Sequence, residues 1–212
     1  MNPRVTQGLS IALSTLAGFV DAQGYLALGG LFVAFMSGNS TVLGVAVVEG
    51  STGRVALSAT LVAAFVLGVM IGTWVGRPFH DRRAPVVLLL MGCLLAVAAS
   101  LYRLGFAVPC CIMVSLALGA ENTVFQRDGT PGIGLTYMTG TLVRLGQRIA
   151  EALTGGAWRQ VVPDTLLWVG MAAGAGLGTQ AYQELGLDGL WIAVAVAGVM
   201  AVTARLGLST TS

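Results

Sequence analysis

Long apolar stretches separated by short polar segments run along the whole chain. Six of them are long enough to cross a bilayer as a helix, which takes about 20 residues at 1.5 Å per residue. They cover residues 8–27, 55–76, 84–103, 106–125, 164–183 and 188–206. This pattern predicts an all-α integral membrane protein with about six transmembrane helices.

Two further stretches, 30–49 and 132–153, have a different character. Gly, Ser, Thr and Asn interrupt them near their starts. Each is therefore predicted to be broken or re-entrant, with an extended piece that descends to mid-membrane and a half-helix that returns from it. Such backbone is tolerated only where its freed polar groups face protein or water.

Composition supports the membrane assignment and excludes several other classes. Hydrophobic residues make up 56% of the 212 residues and charged residues 9%, against roughly 25% charged in soluble domains. A net charge of +2 without any lysine argues against nucleic-acid binding. The three cysteines lie in apolar runs without metal-ligand spacing, so we expect no disulfide framework, metal or cofactor. The lipid bilayer is the expected partner.

An internal repeat organises the sequence. The segment GFVDA at 18–22 corresponds to GAENT at 119–123, and FMSGNSTVLG at 35–44 corresponds to YMTGTLVRLG at 137–146. Matching positions lie about 102 residues apart along the chain. We therefore divide the chain into two homologous halves, 1–105 and 106–212, within one membrane domain.

The arginines favour one of two topologies. If both broken segments re-enter, each half crosses three times, the halves are inverted, and one membrane side carries Arg4, Arg77, Arg82, Arg83, Arg148, Arg159 and Arg205. If they cross fully, each half crosses four times and this bias largely disappears. We expect two inverted three-helix repeats in a bacterial plasma membrane, with both termini in the cytoplasm.

The motifs resemble a known family, the YoaK-like multi-pass bacterial membrane proteins. The resemblance rests on GFVDAQGYLALGGLFVAFMSGN at 18–39 and on GAENTVFQRDG and LTYMTGTLVRLG at 119–129 and 135–146, and it covers nearly the whole chain. Ser37 and the pair Asn122-Thr123 depart mildly from the residues that are common there. The resemblance implies a plasma-membrane protein with about six helices and brings no established substrate.

Asp21 and Glu121 are the acids that lie inside the predicted crossing segments, away from their ends. A charged residue there costs roughly 2.5–3.5 kcal/mol on insertion scales and usually faces a cavity. In a dry site, a carboxylic acid stays protonated and releases its proton when water or a positive group approaches. We therefore expect both residues to couple proton movement to solute movement. The alternative is that Asp21 caps its helix end and Glu121 reaches the interface.

The starts of the two half-helices are the candidate solute site. There the hydroxyls are expected to cap the helix, and the free N–H groups to bind an anion or a polar group near the midplane. Tight helix packing is the alternative explanation of these small residues. The candidate residues are Ser37, Gly38, Asn39 and Thr41 in the first half, and Asn122, Thr139, Gly140 and Thr141 in the second.

Arg144 breaks the repeat because it matches the apolar Val42. It is a candidate counter-charge for an anionic solute or for Glu121, or it extends to the inner interface. The glycines at 68, 72 and 76 and at 170, 174 and 178 have the small-xxx-small spacing of close helix packing.

Inverted repeats, broken helices and intramembrane polar residues together favour a transporter of a small polar or anionic solute, with proton coupling. A channel-like pore and a membrane assembly subunit without transport are the alternatives, and a homo-oligomer is left open. No acid, base or nucleophile is arranged as in an enzyme, so we expect no catalytic activity.

Overall fold

The computed structural model describes residues 3–126 and 138–209, and all regular structure in them is helical. Short 3-10 turns lie at His80–Arg82, Trp158–Gln160 and Gly186–Gly189. The α-helices of these ranges are, in chain order, α1 (Pro3–Ala27), α2 (Met36–Val48), α3 (Thr52–Gly76), α4 (Arg83–Arg103), α5 (Ala107–Glu121), α6 (Met138–Leu153), α7 (Val161–Leu185) and α8 (Leu190–Ser209).

The predicted apolar stretches coincide with long helices. Four stretches have the length and hydropathy of membrane spans, namely Val5–Ala27, Thr52–Gly76, Arg83–Arg103 and the 49-residue Trp158–Leu206, which contains α7 and α8. The prediction of an all-helical, multi-pass membrane protein is confirmed. The fourth predicted crossing, 106–125, is shorter than expected because α5 ends at Glu121. Beyond it, Thr123 and Val124 donate backbone hydrogen bonds to carbonyls three residues back, which tightens the chain into a turn.

The interrupted segments contain short helices. In the first, residues 28–35 are not helical and α2 begins only at Met36. Its 13 residues extend about 20 Å, less than the roughly 30 Å of a hydrocarbon core. In the second segment, α6 has 16 residues, and positions 132–137 lie outside the described residues. The break predicted in the first half is therefore confirmed.

The directions of the helices follow from contacts at their ends. The turn after α7 packs on α1 and α4, and Arg103 at the end of α4 pairs with Asp188 in this turn at 2.8 Å. The carboxyl ends of α1, α4 and α7 therefore lie at one end of the bundle, which we call the turn end. Because three residues join α4 to α5, which pack on each other, α5 runs away from the turn end. Consequently α1 and α5, which are matching helices of the two halves, run in opposite directions.

Two parallel helix pairs, α1 with α7 and α3 with α5, form the closest packing of the bundle. Glycines bring the backbones together: a methyl group at Gly174 would overlap the carbonyl oxygen of Thr15, and one at Gly68 would overlap that of Leu116. The two contacts join matching positions of the repeat. Close packing was the predicted role of these glycines, and it is confirmed.

A buried hydroxyl accompanies each glycine contact. Ser14 Oγ donates to the carbonyl oxygen of Leu167 at 2.9 Å, and Ser115 Oγ donates to that of Leu61 at 2.9 Å. These bonds again join matching positions of the two halves. Away from these helix contacts, large apolar side chains on α3 and α8 are exposed, as expected where lipid is the solvent. Examples are Leu67, Trp74, Val199 and Val202.

Gly174→Ala is expected to lower the melting temperature of the detergent-solubilised protein, because the added methyl group must push α7 away from α1. Overpacking of this kind costs about 1–3 kcal/mol. Gly176→Ala on the same helix is the control, since an added methyl group there would meet nothing within 4 Å. Thermal unfolding followed by circular dichroism measures both variants. Equal melting temperatures for them would contradict the packing assignment.

Candidate functional site

Asp21 holds the extended segment that precedes α2. Its carboxylate lies about two turns before the end of α1 and is buried. After α1, two glycines with positive φ, Gly29 and Gly30, reverse the chain so that it returns alongside the helix. The backbone N–H groups of Val33 and Ala34 then donate to Asp21 Oδ1 at 2.8 and 2.7 Å.

Asn39 forms hydrogen bonds with the backbone of Phe32, the residue that precedes Val33 in the same segment. Its Oδ1 accepts a hydrogen bond from Phe32 N at 2.9 Å, while its Nδ2 donates to Phe32 O at 2.6 Å. The Asn39 side chain is fully buried. Its amide is therefore used within the protein, and it fixes the first turn of α2 against the extended segment.

At the start of α2, the hydroxyl side chains do not have the predicted capping role. No side chain caps the start of α2. Thr41 Oγ1 donates to the carbonyl oxygen of Ser37 at 3.2 Å, and Ser37 itself is exposed. Both residues lie inside the helix, where such hydroxyls bond to the preceding turn. The Asp21 carboxylate takes the backbone donors of Val33 and Ala34, which lie just before this helix start. The binding of an anion or a polar group at the start itself stays a prediction.

Gly38 has a packing role. A Cβ atom there would lie 2.5 Å from the ring of Phe35. The missing side chain lets the rings of Phe32 and Phe35 meet edge to face with centroids 5.2 Å apart. The predicted site residue Gly38 thus positions two aromatic rings at the start of α2.

In the second half, the predicted residues lie on α6. Thr139 is exposed, Gly140 is partly buried and Thr141 is buried. Arg144 Nη2 donates to Thr141 Oγ1 at 3.0 Å. The structure therefore brings Arg144 and Thr141 together, whereas the residues before α6, from 127 to 137, lie outside the described part of the chain.

Arg144 pairs with Asp164, an acid that the apolar pattern placed at the end of a segment. Its Nε lies 3.4 Å from Asp164 Oδ1. Arg148 Nη1 lies 2.8 Å from the other carboxylate oxygen of Asp164, which is buried in the first turn of α7. The suggested pairing of Arg144 with Glu121 is corrected, since Asp164 is the carboxylate that it contacts. Its role as a counter-charge for an anionic solute stays a prediction. The signal was available: two arginines one turn apart on α6 precede an acid at a helix start.

Glu121 is fully buried at the end of α5. Within residues 3–126 and 138–209, neither of its carboxyl oxygens has a hydrogen-bond partner. The neighbouring Asn122, which matches Asp21 in the repeat, donates from Nδ2 to the carbonyl oxygen of Leu118 at 2.9 Å. The two halves thus differ at this place, because a carboxylate holds the chain in one and an amide ends a helix in the other.

A cavity of about 470 Å³ lies between α1 and α7 beside Asp21. Phe35, directly before α2, and Met138, the first residue of α6, both line it, so the two half-helix starts reach one space. Further aromatic lining comes from Tyr25, Phe32 and Trp168. Of the predicted site residues, only Asp21 lines this cavity. The aromatic walls were not predicted, although Tyr25, Phe32 and Phe35 form a visible cluster around the break.

The chemistry that the cavity offers is limited. The described residues of its walls carry one carboxylate, Asp21, one aliphatic hydroxyl, Thr179, and otherwise apolar or aromatic groups. In the described parts of the chain, no group of three or more His, Cys, Asp or Glu side chains is placed to hold a metal ion. The chemical groups that the described lining offers are therefore the Asp21 carboxyl group, two hydroxyls and aromatic rings.

Comparison with known proteins agrees with the resemblance seen in the motifs. The family model described as "Protein of unknown function (DUF1275)" matches residues 9–203. A UPF0700 transmembrane protein of Rhizobium meliloti (strain 1021) is 37% identical over 194 residues, which cover 89% of this chain and 82% of that protein. The UPF0700 transmembrane protein YoaK of Bacillus subtilis (strain 168) is 35% identical over 148 residues, which are 66% of each chain. No solved structure matches. The chain therefore belongs to the DUF1275 family, and both relatives named here are transmembrane proteins.

Proposed function

We propose that the protein is a proton-coupled transporter of a small solute in the bacterial plasma membrane. The observation that carries this proposal is the cavity beside Asp21, which the starts of both half-helices reach. Substrate sites of repeat transporters lie in such places, where broken helices meet near the membrane midplane. The proposal contains no catalytic step.

The proposal includes two inverted repeats. Its support is the opposite direction of α1 and α5, together with matching glycine and serine contacts in the two helix pairs. Each pair combines one helix from each half. The cavity is lined by α1, α7 and residues at the starts of α2 and α6. Movement of these two half-helices against the α1–α7 pair would open it to one membrane side at a time, which is the motion that alternating access needs.

Asp21 is proposed to link the proton to this motion. The ionised carboxylate forms charge-assisted bonds to Val33 and Ala34, and such bonds are roughly twice as strong as neutral ones. Protonation would weaken both. The segment they hold carries Phe32 and Phe35, which form a wall of the cavity. Loading a proton would therefore loosen the wall of the solute site, and losing it would fix the wall again.

Glu121 is proposed as a second proton carrier in this scheme. It is buried, and its carboxyl oxygens have no hydrogen-bond partner in the described residues. An isolated carboxylate in such a place is strongly disfavoured, whereas the neutral acid is tolerated. Since Glu121 does not line the cavity, its role would be transfer of a proton rather than contact with the solute.

One observation favours the alternative of an assembly subunit without transport. Asn39 and its backbone partners are sealed in protein contacts, which is what a purely structural break requires. A channel-like pore would share the static features of a transporter. Saturable solute uptake, together with exchange of solute across the membrane, would distinguish a transporter from both alternatives.

Filling the cavity should stop transport. We expect Ala172→Trp, at a position that lines the cavity, to reduce solute-induced currents at least tenfold because the ring occupies the solute space. The neighbouring Ala173 is also exposed but does not line the cavity, so Ala173→Trp is the matched control. Currents are recorded from proteoliposomes on a solid-supported membrane against a panel of small acids, nucleobases and organic cations. Equal currents in both variants, or none in the unmodified protein with any compound, would contradict the proposal.

Asp21→Asn should fold, because the amide keeps the shape and can still accept the bonds of Val33 and Ala34. It should abolish uptake driven by a pH gradient and leave solute exchange partly intact, since the proton site is lost. The measurement compares uptake and exchange in proteoliposomes for the first solute that gives a current. Asp188→Asn, at an exposed acid of the turn end, is the control. Unchanged pH dependence in Asp21→Asn would make the carboxylate a backbone anchor only.

The proposed orientation rests on the arginines. The end of the bundle opposite the turn end carries most of them, whereas the turn end has mainly Arg54 and Arg103. We therefore expect fluorescent-protein fusions at Ser212 and in the loop at 80–84 to report the cytoplasm, and a fusion at 50–51 to report the outside. An external signal from either of the first two fusions would rule out the inverted six-crossing arrangement.

A further inference from the structure

We propose that the cavity beside Asp21 selects a monovalent organic cation with an apolar, aromatic body. This inference rests on the proposed function only in taking the cavity as the solute site. It replaces the anionic or polar solute that the sequence alone suggested, and three properties of the cavity lead to it: its charge, its aromatic walls and its lack of polar groups.

Charge is the first property. Among the described residues that line the cavity there is one carboxylate, Asp21, and no basic side chain. The candidate counter-charge, Arg144, lies outside the lining and shares Asp164 with Arg148. The backbone donors before α2 are already bound to Asp21. An anion would therefore meet a like charge without a partner, whereas a cation would meet the carboxylate.

The aromatic walls are the second property. Tyr25 and Phe32 pack with ring centroids 4.9 Å apart, and Phe35 continues the series edge to face. Trp168 lies on α7 and also lines the cavity. Tyr25 and Trp168 are 42% and 43% exposed, so their rings are not fully used by packing. The negative faces of aromatic rings attract cations, and Trp attracts them most strongly.

The shortage of polar groups is the third property. Apart from Asp21 and the Tyr25 hydroxyl, Thr179 is the one polar side chain among the described lining residues, and its hydroxyl donates to the carbonyl oxygen of Ala175 at 2.9 Å. A sugar or an amino acid would lose more hydrogen bonds to water than these walls return. The volume of about 470 Å³ suits a drug-sized body, and the flexible Met138 and Met171 can adapt to its outline.

Two nearly isosteric ions of opposite charge test the inference. Purified protein in lipid nanodiscs is titrated with tetraphenylphosphonium and with tetraphenylborate, and equilibrium binding is measured for each. We expect saturable binding of the phosphonium cation at least tenfold tighter than that of the borate anion. Equal binding of the two ions, or tighter binding of the anion, would overturn the inference.

Variants assign the binding to the cavity. Trp168→Ala should weaken phosphonium binding at least tenfold, while Trp168→Phe should retain most of it because a ring face remains. Trp74→Ala removes an exposed tryptophan of α3 that does not line the cavity, so it should bind like the unmodified protein. Asp21→Asn should bind the cation at least tenfold more weakly. If Trp168→Ala and Trp74→Ala bind alike, the cation does not occupy this cavity and the inference fails.

Failure of this inference can be separated from failure of the transport proposal. Saturable phosphonium binding without any solute-induced current in proteoliposomes would refute transport and support the inference. Currents from an anion or a polar solute, together with no saturable phosphonium binding, would support transport and refute the inference.

Discussion

The break between α1 and α2 depends on one requirement: backbone groups inside a membrane protein need partners. In hydrocarbon, each unsatisfied N–H or C=O group costs several kcal/mol. Asp21 accepts hydrogen bonds from two of the backbone N–H groups. Asn39 accepts a hydrogen bond from the N–H group of Phe32 and donates one to its C=O group. Without these two side chains, the backbone groups of residues 32–34 would lose these hydrogen bonds. The position of α2, the aromatic walls and the cavity all follow from this local solution.

The same solution gives Asp21 two properties at once. Because its carboxylate is bound to backbone N–H groups, its charge is compensated without a basic partner. Because it also lines the cavity, anything that binds there acts on the bonds that hold the wall. In the second half, Asn122 stands in the matching place and bonds within its own helix. The two halves share a helix arrangement and differ in chemistry.

Features with a local or periodic signal could be predicted from the sequence. The apolar stretches, the break before α2 and the close glycine contacts all belong to this class. The partners of the break could not be predicted, because Asp21 binds residues 12 and 13 positions further along the chain, whereas the rules for helix starts favour nearby hydroxyls. The cavity could not be predicted either. Its walls come from α1 and α7, which are distant in sequence, and only their packing defines the space between them.

The pairing of α1 with α7 has a consequence for the synthesis of the protein. The pair α3 with α5 can close soon after residue 121 has been made, whereas α1 has to await the end of α7 at Leu185. At roughly 5–20 residues per second, this delay is on the order of ten seconds. Throughout it, the face of α1 with Ser14 and Gly18 lacks the helix that covers it in the finished protein. The early bilayer intermediate thus contains α1–α5 without the last three helices, and its first helix is still unpaired.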